Sequence, residues 1–529
     1  MNRKTLVLPA VVGLLAPVLV ACGGAGSGAG GDDAIVVGTT DQVVADKEAP
    51  APLDPAFAYD TGSWNVLRQT VQTLLTAPRG GGKPVPEAAK SCEFTDSMSQ
   101  SFRCKLRSDL QFSDGTAITV EDVKFSIERL LGINDDNGAA ALLANIDTIE
   151  TKGDYEIIFH LATPDATFPF KLSTPVAGIL SKKKYEGKKL RHGLQVDGSG
   201  PYTMTSESKK GHASKIVFKR NDSYKGGFEH HNSRVELRIY EDAQDMAKAL
   251  EKGDIDIASR EMSPEQVQAM VEQPKKDIEL TELPGLFIQF LAFNTDHPSV
   301  KDKAVRQAMA TVIDRGKIAG DVYRSTAEPL YSLIPTKIGA HKNAFYNKYG
   351  DPSTSKAKGI LRKAGITTPV KLSLHYADDR YAAKEFAVIR DQLNASGLFE
   401  VTAKGAPWNK FRTAHKRGDY PVYGLGWVPD FPDPDNFIAP FLEKDNFLNS
   451  PYSNAEAQRL IPQSRRQSDR SAATGDFERL QEIVANDVPV MPLWQGKHFV
   501  AARKGVIGVE RLLNGSSDIQ LWELSKDGD

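Results

Sequence analysis

Short apolar runs alternate with amphipathic segments along most of the chain. Ile35-Val36-Val37-Gly38 is unbroken and predicts a buried strand that begins the fold. Val66 to Leu75 has helical spacing, with Val71, Leu74 and Leu75 on one face. Phe102-Arg103-Cys104-Lys105-Leu106-Arg107 alternates in the manner of a strand with one wet face. After the turn Phe112-Ser113-Asp114-Gly115-Thr116, Thr119 can cap a helix with Asp122 three residues on. Val123, Ile127, Leu130 and Leu131 supply its apolar stripe. Strands are predicted over 155–161, 216–219 and 235–239. Asp242 then caps a helix that Gly253 ends. Ile255-Asp256-Ile257 and the apolar stretch from Gly285 to Phe293 are extended, and Lys303 to Ile313 is helical. The alternation continues through Val370–His375 (strand), Phe386–Leu393 (helix) and Phe399–Lys404 (strand). Val490–Leu493 and Phe499–Arg503 close the chain as strands. Strands and helices in turn are the signature of α/β layers.

The N-terminus breaks this pattern. Asn2-Arg3-Lys4 is a short positive start, and Thr5 to Val20 carries no charge. The run ends in Leu19-Val20-Ala21-Cys22, the small-residue exit of a secretory signal. It falls short of the ~20 apolar residues of a spanning helix, and Pro9 and Pro17 interrupt it. The tetrapeptide resembles the lipobox of bacterial lipoproteins. That resemblance implies cleavage after residue 21 and a diacylglycerol on Cys22; an ordinary signal with an incidental cysteine is the alternative. Two acyl chains would anchor stably where one would not. Residues 22–33 are Gly/Ala/Ser-rich with two aspartates, too poor in apolar surface to order, and read as a flexible leash.

About five hundred residues follow Cys22, enough for two or three domains. Hydrophobic content is 40%, charged content 25% and the formal net charge −2, with no large basic tract. Lys182-Lys183-Lys184 and Lys188-Lys189 read as a solvated face, and nucleic acid is not an expected partner. Besides Cys22 there are Cys92 and Cys104, on either side of the polar stretch Thr95–Gln100. A β-hairpin there would set the two thiols opposite each other, and an exported chain folds where disulfides persist. Two buried free thiols are the alternative.

Chemical motifs are sparse. There is no His-Glu-x-x-His run, no phosphate-binding glycine loop and no nucleophile elbow, and the adjacent His230-His231 are poorly spaced for a metal. No metal or cofactor is expected. The densest feature is Gly426-Trp427-Val428-Pro429-Asp430-Phe431-Pro432-Asp433-Pro434-Asp435-Asn436-Phe437. Its prolines stiffen the loop, and a preorganised site loses less entropy on binding. Trp427 and Phe431 offer flat apolar walls, while Asp430, Asp433 and Asp435 offer charge that suits a ligand ammonium. Three readings compete. One aspartate binds a cation while the others cap turns; all are structural Asp-Pro turns; or two carboxylates act as an acid/base pair in a surface hydrolase.

Taken in order, these segments resemble the extracytoplasmic solute-binding proteins of peptide-type ABC importers, family 5. The resemblance rests on Ser101–Arg107 with Phe112-Ser113-Asp114-Gly115-Thr116 and Glu121-Asp122-Val123. It extends to Gly198-Ser199-Gly200-Pro201-Tyr202, Ala249–Asp256, Phe293-Asn294-Thr295, Val305-Arg306-Gln307-Ala308 and Ile313-Asp314-Arg315. It implies two α/β lobes joined by a hinge, with an extra subdomain in the first. Lobe I would be 34–74, 197–290 and 488–529, the inserted subdomain 75–196 and lobe II 291–487. It implies capture of a peptide or other amine-bearing solute between the lobes, and delivery to membrane permease subunits, by a monomer without enzymatic activity. Asp430 matches the aspartate that binds the ligand's α-ammonium in peptide binders. Arg380 is the candidate carboxylate anchor, although its spacing departs from dipeptide binders; a solvated surface arginine is the competing reading. Asn294 and Tyr59 are cleft candidates by position. A nickel chelate, haem, a sugar or an opine-like compound is the alternative ligand, and a sensory or adhesive lipoprotein the alternative role.

Overall fold

The computed structural model describes residues 34–260, 262–378, 381–444, 446–448 and 450–527. The expected signal, lipidation site Cys22 and leash lie outside these residues, as does Arg380. Residues 34–529 form one compact unit. Among the described residues no helix is long and apolar enough to cross a membrane.

Two mixed sheets carry the fold. The seven-stranded sheet runs, edge to edge, Ile278–Leu283, His498–Arg503, Ile257–Ala258, Ile35–Thr39, Arg234–Ile239, His212–Arg220, Tyr202–Lys209. Ile35–Thr39 is parallel to both neighbours, in register Val37↔Leu237 and Val37↔Ile257. Its side chains Ile35 and Val37 are fully buried, as an unbroken apolar run in a central strand requires. The six-stranded sheet runs Ala327–Pro329, Val490–Gly496, Ile288–Phe293, Val422–Trp427, Val370–Ala377, Phe399–Ala406. Phe290, Phe293, Leu374, Phe386 and Ile389 are fully buried in its core.

A third, four-stranded sheet holds Ala89–Phe94, Ser101–Leu106, Glu156–Leu161 and Ile146–Lys152. Cys92 and Cys104 are directly paired across the first hairpin and bonded, S–S 2.03 Å. Helix Val120–Ile133 covers this sheet, and its Asp122 accepts from the Thr119 N–H at 3.1 Å, half of the reciprocal cap that the spacing predicts.

Two sequence readings shift. The helix expected over 66–75 is Thr61–Thr70, one turn earlier. Asp60 accepts from Ser63 N at 2.9 Å as its N-cap, and Val71 is already extended at the start of a β-branched, polar run. The borders expected at 290/291 and 487/488 also move. Ile288–Phe293 and Val490–Gly496 pair with each other in the six-stranded sheet, so the chain changes sheets at 284–287 and at 497. These crossovers touch: Gly496 N donates to Phe287 O at 2.9 Å. A Cβ on Gly285 would lie 2.2 Å from Gly496 O, so only glycine permits this approach.

Candidate functional site

The crossovers floor a cavity of about 780 Å³ between the two sheets. That volume lies in the ~300–1,000 Å³ range of small-molecule and short-peptide sites. From the side of the seven-stranded sheet, Asp41, Tyr59, Asp60, Trp64, Glu241 and Arg260 line it. From the other side come Phe287, Gln289, Tyr323, Tyr381, Asp430 and Trp494.

The aromatic residues are locked in place. Trp64 Nε1 donates to Ala58 O at 2.9 Å, and its ring stands 5.8 Å from that of Tyr59. Trp494 Nε1 donates to Glu385 Oε1 at 3.1 Å, and the Tyr323 hydroxyl donates to Glu385 Oε2 at 2.8 Å. The Tyr323 and Trp494 rings are 4.1 Å apart. These rings present rigid flat faces with their polar atoms already satisfied.

The proline-rich loop separates its three aspartates by role. Asp433 is 1% exposed and held bidentate by Arg470, both contacts at 2.8 Å, while its side chain also accepts from Asp435 N. Asp435 is bound the same way by Arg465, at 2.9 and 3.0 Å. Neither lines the cavity. An acid/base pair of Asp430 with Asp433, as a hydrolase would need, is therefore not assembled: Asp433 is ion-paired to Arg470 in the interior.

Asp430 faces the cavity and has no ion-pair partner among the described residues. Asn436 Nδ2 donates to its Oδ2 at 3.1 Å, and Asp430 N donates to Asn436 Oδ1 at 2.9 Å. Burial pushes its carboxyl above the usual range, against hydrogen bonds from Asn436 and Tyr59 and the more distant charge of Lys171. Burial and the adjacent carboxylate push the Tyr59 hydroxyl up in turn. Tyr59 comes from the opposite wall and is 46% exposed into the open space. Tyr59 and Asp430 thus meet across the cleft.

Three other sequence candidates lie elsewhere. Trp427 packs on Phe441 and Phe447, at centroid distances of 5.5 and 5.1 Å, and is not in the cavity wall. Strand parity explains this. Gly426 is the residue turned toward cavity-lining Phe287, where an added Cβ would lie 2.2 Å from the ring, so its neighbour Trp427 faces the other way. Phe431 is 2% exposed and stacks on Phe170 at 6.0 Å, which makes it part of the packing under the loop. Asn294 follows Ile288–Phe293 at the end away from the cavity, about 16 Å along the strand from Gln289 at ~3.3 Å per residue. It serves a turn, donating to Gly418 O at 3.0 Å and accepting from Asp296 N at 3.2 Å.

Sequence reasoning missed Glu241, Arg260, Phe287, Tyr323, Tyr381 and Trp494. One signal was available: Glu241 and Asp242 sit at the strand-to-helix switch after Arg234–Ile239, and crevices of α/β sheets open at such ends. Among the described residues no group of three or more His, Cys, Asp or Glu side chains could hold a metal ion.

The model of bacterial extracellular solute-binding proteins, family 5 (Middle), matches residues 83–449. The chain is 27% identical to the probable D,D-dipeptide-binding periplasmic protein DdpA of Escherichia coli over 483 residues, covering 88% of this chain and 91% of that one. It is 25% identical to the oligopeptide-binding protein OppA of Bacillus subtilis, over 90% and 91% of the two chains. The periplasmic binding protein DppA of Helicobacter pylori, solved with the peptide STSA, superposes with a TM-score of 0.76 at 22% identity, covering 93% of this chain and 98% of that one.

Proposed function

Because the chain belongs to the bacterial extracellular solute-binding proteins of family 5, we propose that it captures peptides by their free α-ammonium group at Asp430 and hands them to an ABC permease. One observation carries this reading. Asp430 is a half-buried carboxylate at the wall of a large cavity, and of the loop's three aspartates it alone lacks an ion-pair partner among the described residues. A ligand ammonium supplies the missing charge, and a desolvated pair of this kind is strong. The names of DdpA and OppA, which are peptide binders, support the choice of ligand.

The two large sheets are the two lobes, and the four-stranded unit is the subdomain inserted in the first. The crossovers at 284–287 and 497 are the hinge about which the lobes close. Tyr59 reaches Asp430 from the opposite lobe, so closure completes the ammonium site. The chain is exported, cleaved after residue 21 and held to the outer membrane face by lipid on Cys22, with 23–33 as its leash. It acts as a monomer and catalyses no reaction. Arg380 is not assigned a role.

Calorimetric titration of tri-alanine against its N-acetylated form tests the reading. The free amine should bind and the acetylated peptide should lose at least about 2 kcal/mol. Equal affinity for the two forms would remove the α-ammonium from the account.

A further inference from the structure

The cavity wall opposite Asp430 has an electrostatic character of its own. Strands Ile35–Thr39 and Arg234–Ile239 are parallel neighbours, so both end on this wall. Asp41 follows the first strand, and Glu241 and Asp242 follow the second. Asp60 joins them at the head of helix Thr61–Thr70. All four residues line the cavity.

Two ten-residue helices begin here, Thr61–Thr70 and Ala243–Lys252. A bare helix N-terminus attracts anions. These two are already occupied. Asp60 accepts from Ser63 N at 2.9 Å, and Asp242 accepts from Gln244 N and Asp245 N at 2.8 and 2.9 Å. Burial lowers the His498 imidazole's affinity for a proton, and the wall's two cationic side chains, Arg260 and Lys497, are engaged. Arg260 Nε is 3.2 Å from Asp41 Oδ2, and its Nη2 donates to Ser517 O at 3.1 Å. Lys497 Nζ is 2.9 Å from Glu282 Oε1. Glu241 has no hydrogen bond or ion pair among the described residues. The faces of Tyr59 and Trp64 stand on the same wall, their centroids 5.8 Å apart. A carboxylate placed here meets like charge, whereas a cation meets carboxylates and aromatic rings together.

Resting on the peptide reading above, the geometry points to a ligand with a second positive charge, a lysine or arginine side chain held by Glu241 and Asp60 beside Tyr59 and Trp64. The α-ammonium binds Asp430 on one wall and the side-chain cation binds the other. The protein is thus selective for cationic peptides. Burial and the charge of Asp41 raise the Asp60 carboxyl, a strain that a bound cation relieves.

Calorimetric titration of the intact chain with Ala-Ala-Ala, Ala-Lys-Ala, Ala-Ala-Lys and Ala-Glu-Ala tests this. At least one lysine peptide should bind about tenfold or more tighter than Ala-Ala-Ala, and Ala-Glu-Ala should bind more weakly. Glu241→Gln and Asp60→Asn should each cut the lysine-to-alanine ratio severalfold. Equal binding of the lysine and alanine peptides overturns the second cation site and leaves the α-ammonium reading standing. A lysine preference that survives both substitutions intact overturns its assignment to this wall. Failure of all four peptides to bind overturns both proposals.

Discussion

Replacing Glu87 by glutamine should make the protein more stable at pH 8 and change little at pH 4.5. Glu87 is 3% exposed just ahead of strand Ala89–Phe94 of the four-stranded sheet, and it reaches Tyr224, which follows His212–Arg220 of the seven-stranded sheet. Its Oε1 accepts from Gln72 Nε2 at 2.9 Å and from the Tyr224 hydroxyl at 2.8 Å, while Oε2 is buried with no hydrogen-bond partner among the described residues. Burial dominates, and the side chain's pKa rises from 4.5 to about 7. The folded state therefore holds a proton that the unfolded chain releases between these two values. Stability from this group is fully present below the unfolded pKa and is lost as pH rises through the folded one. The gap of about 2.5 units, at ~1.36 kcal/mol each, amounts to about 3 kcal/mol. Glutamine keeps an acceptor for Gln72 and Tyr224 but has no proton to lose. Urea unfolding of both proteins at pH 4.5 and pH 8 reads the effect. The variant's advantage should grow by about 3 kcal/mol across that interval. An advantage independent of pH, or a variant less stable at pH 8, would refute the reasoning.

Other substitutions separate structure from binding. Asp433→Ala strands Arg470 in the interior and should cost about 3–5 kcal/mol in denaturant unfolding, with peptide affinity retained. Asp430→Asn should raise the melting temperature of the ligand-free protein at pH 7, because the fold raises this carboxyl's pKa. That gain should fade as pH falls below the folded pKa and vanish near the unfolded value. Removing the Cys92–Cys104 bridge as the double serine variant should cost about 3 kcal/mol, given the 12-residue separation; no loss would mean that the loop is equally restrained without it.

Much of the layer pattern is legible in the sequence, because buried strands and amphipathic helices obey local periodicities. Ile35–Thr39, Val120–Ile133, the Asp242 cap and Gly253, at φ +83°, all follow from near neighbours. Sheet order does not follow locally. His498–Arg503 inserts between Ile257–Ala258 and Ile278–Leu283, partners more than two hundred residues away. The site is legible to the same extent. Proline stiffness and aspartate density single out the loop at 426–437. Which aspartate stays available is decided by Arg465 and Arg470, residues that local spacing does not connect to it. Trp427 and Phe431 look like binding walls because composition reports aromatic rings and not the direction they face. The opposite wall is not legible locally, because Asp41 and Asp242 come together only when strands Ile35–Thr39 and Arg234–Ile239 pair in parallel.

The central claim is that Asp430 binds the ligand's α-ammonium in the cleft. Calorimetric titration of a tripeptide with a free N-terminus against the wild-type chain and Asp430→Ala tests it most directly. The account predicts a loss of about 2–5 kcal/mol in the variant, and near-equal, weak binding of the free and N-acetylated peptides to it. Unchanged affinity for the free peptide in Asp430→Ala would contradict it.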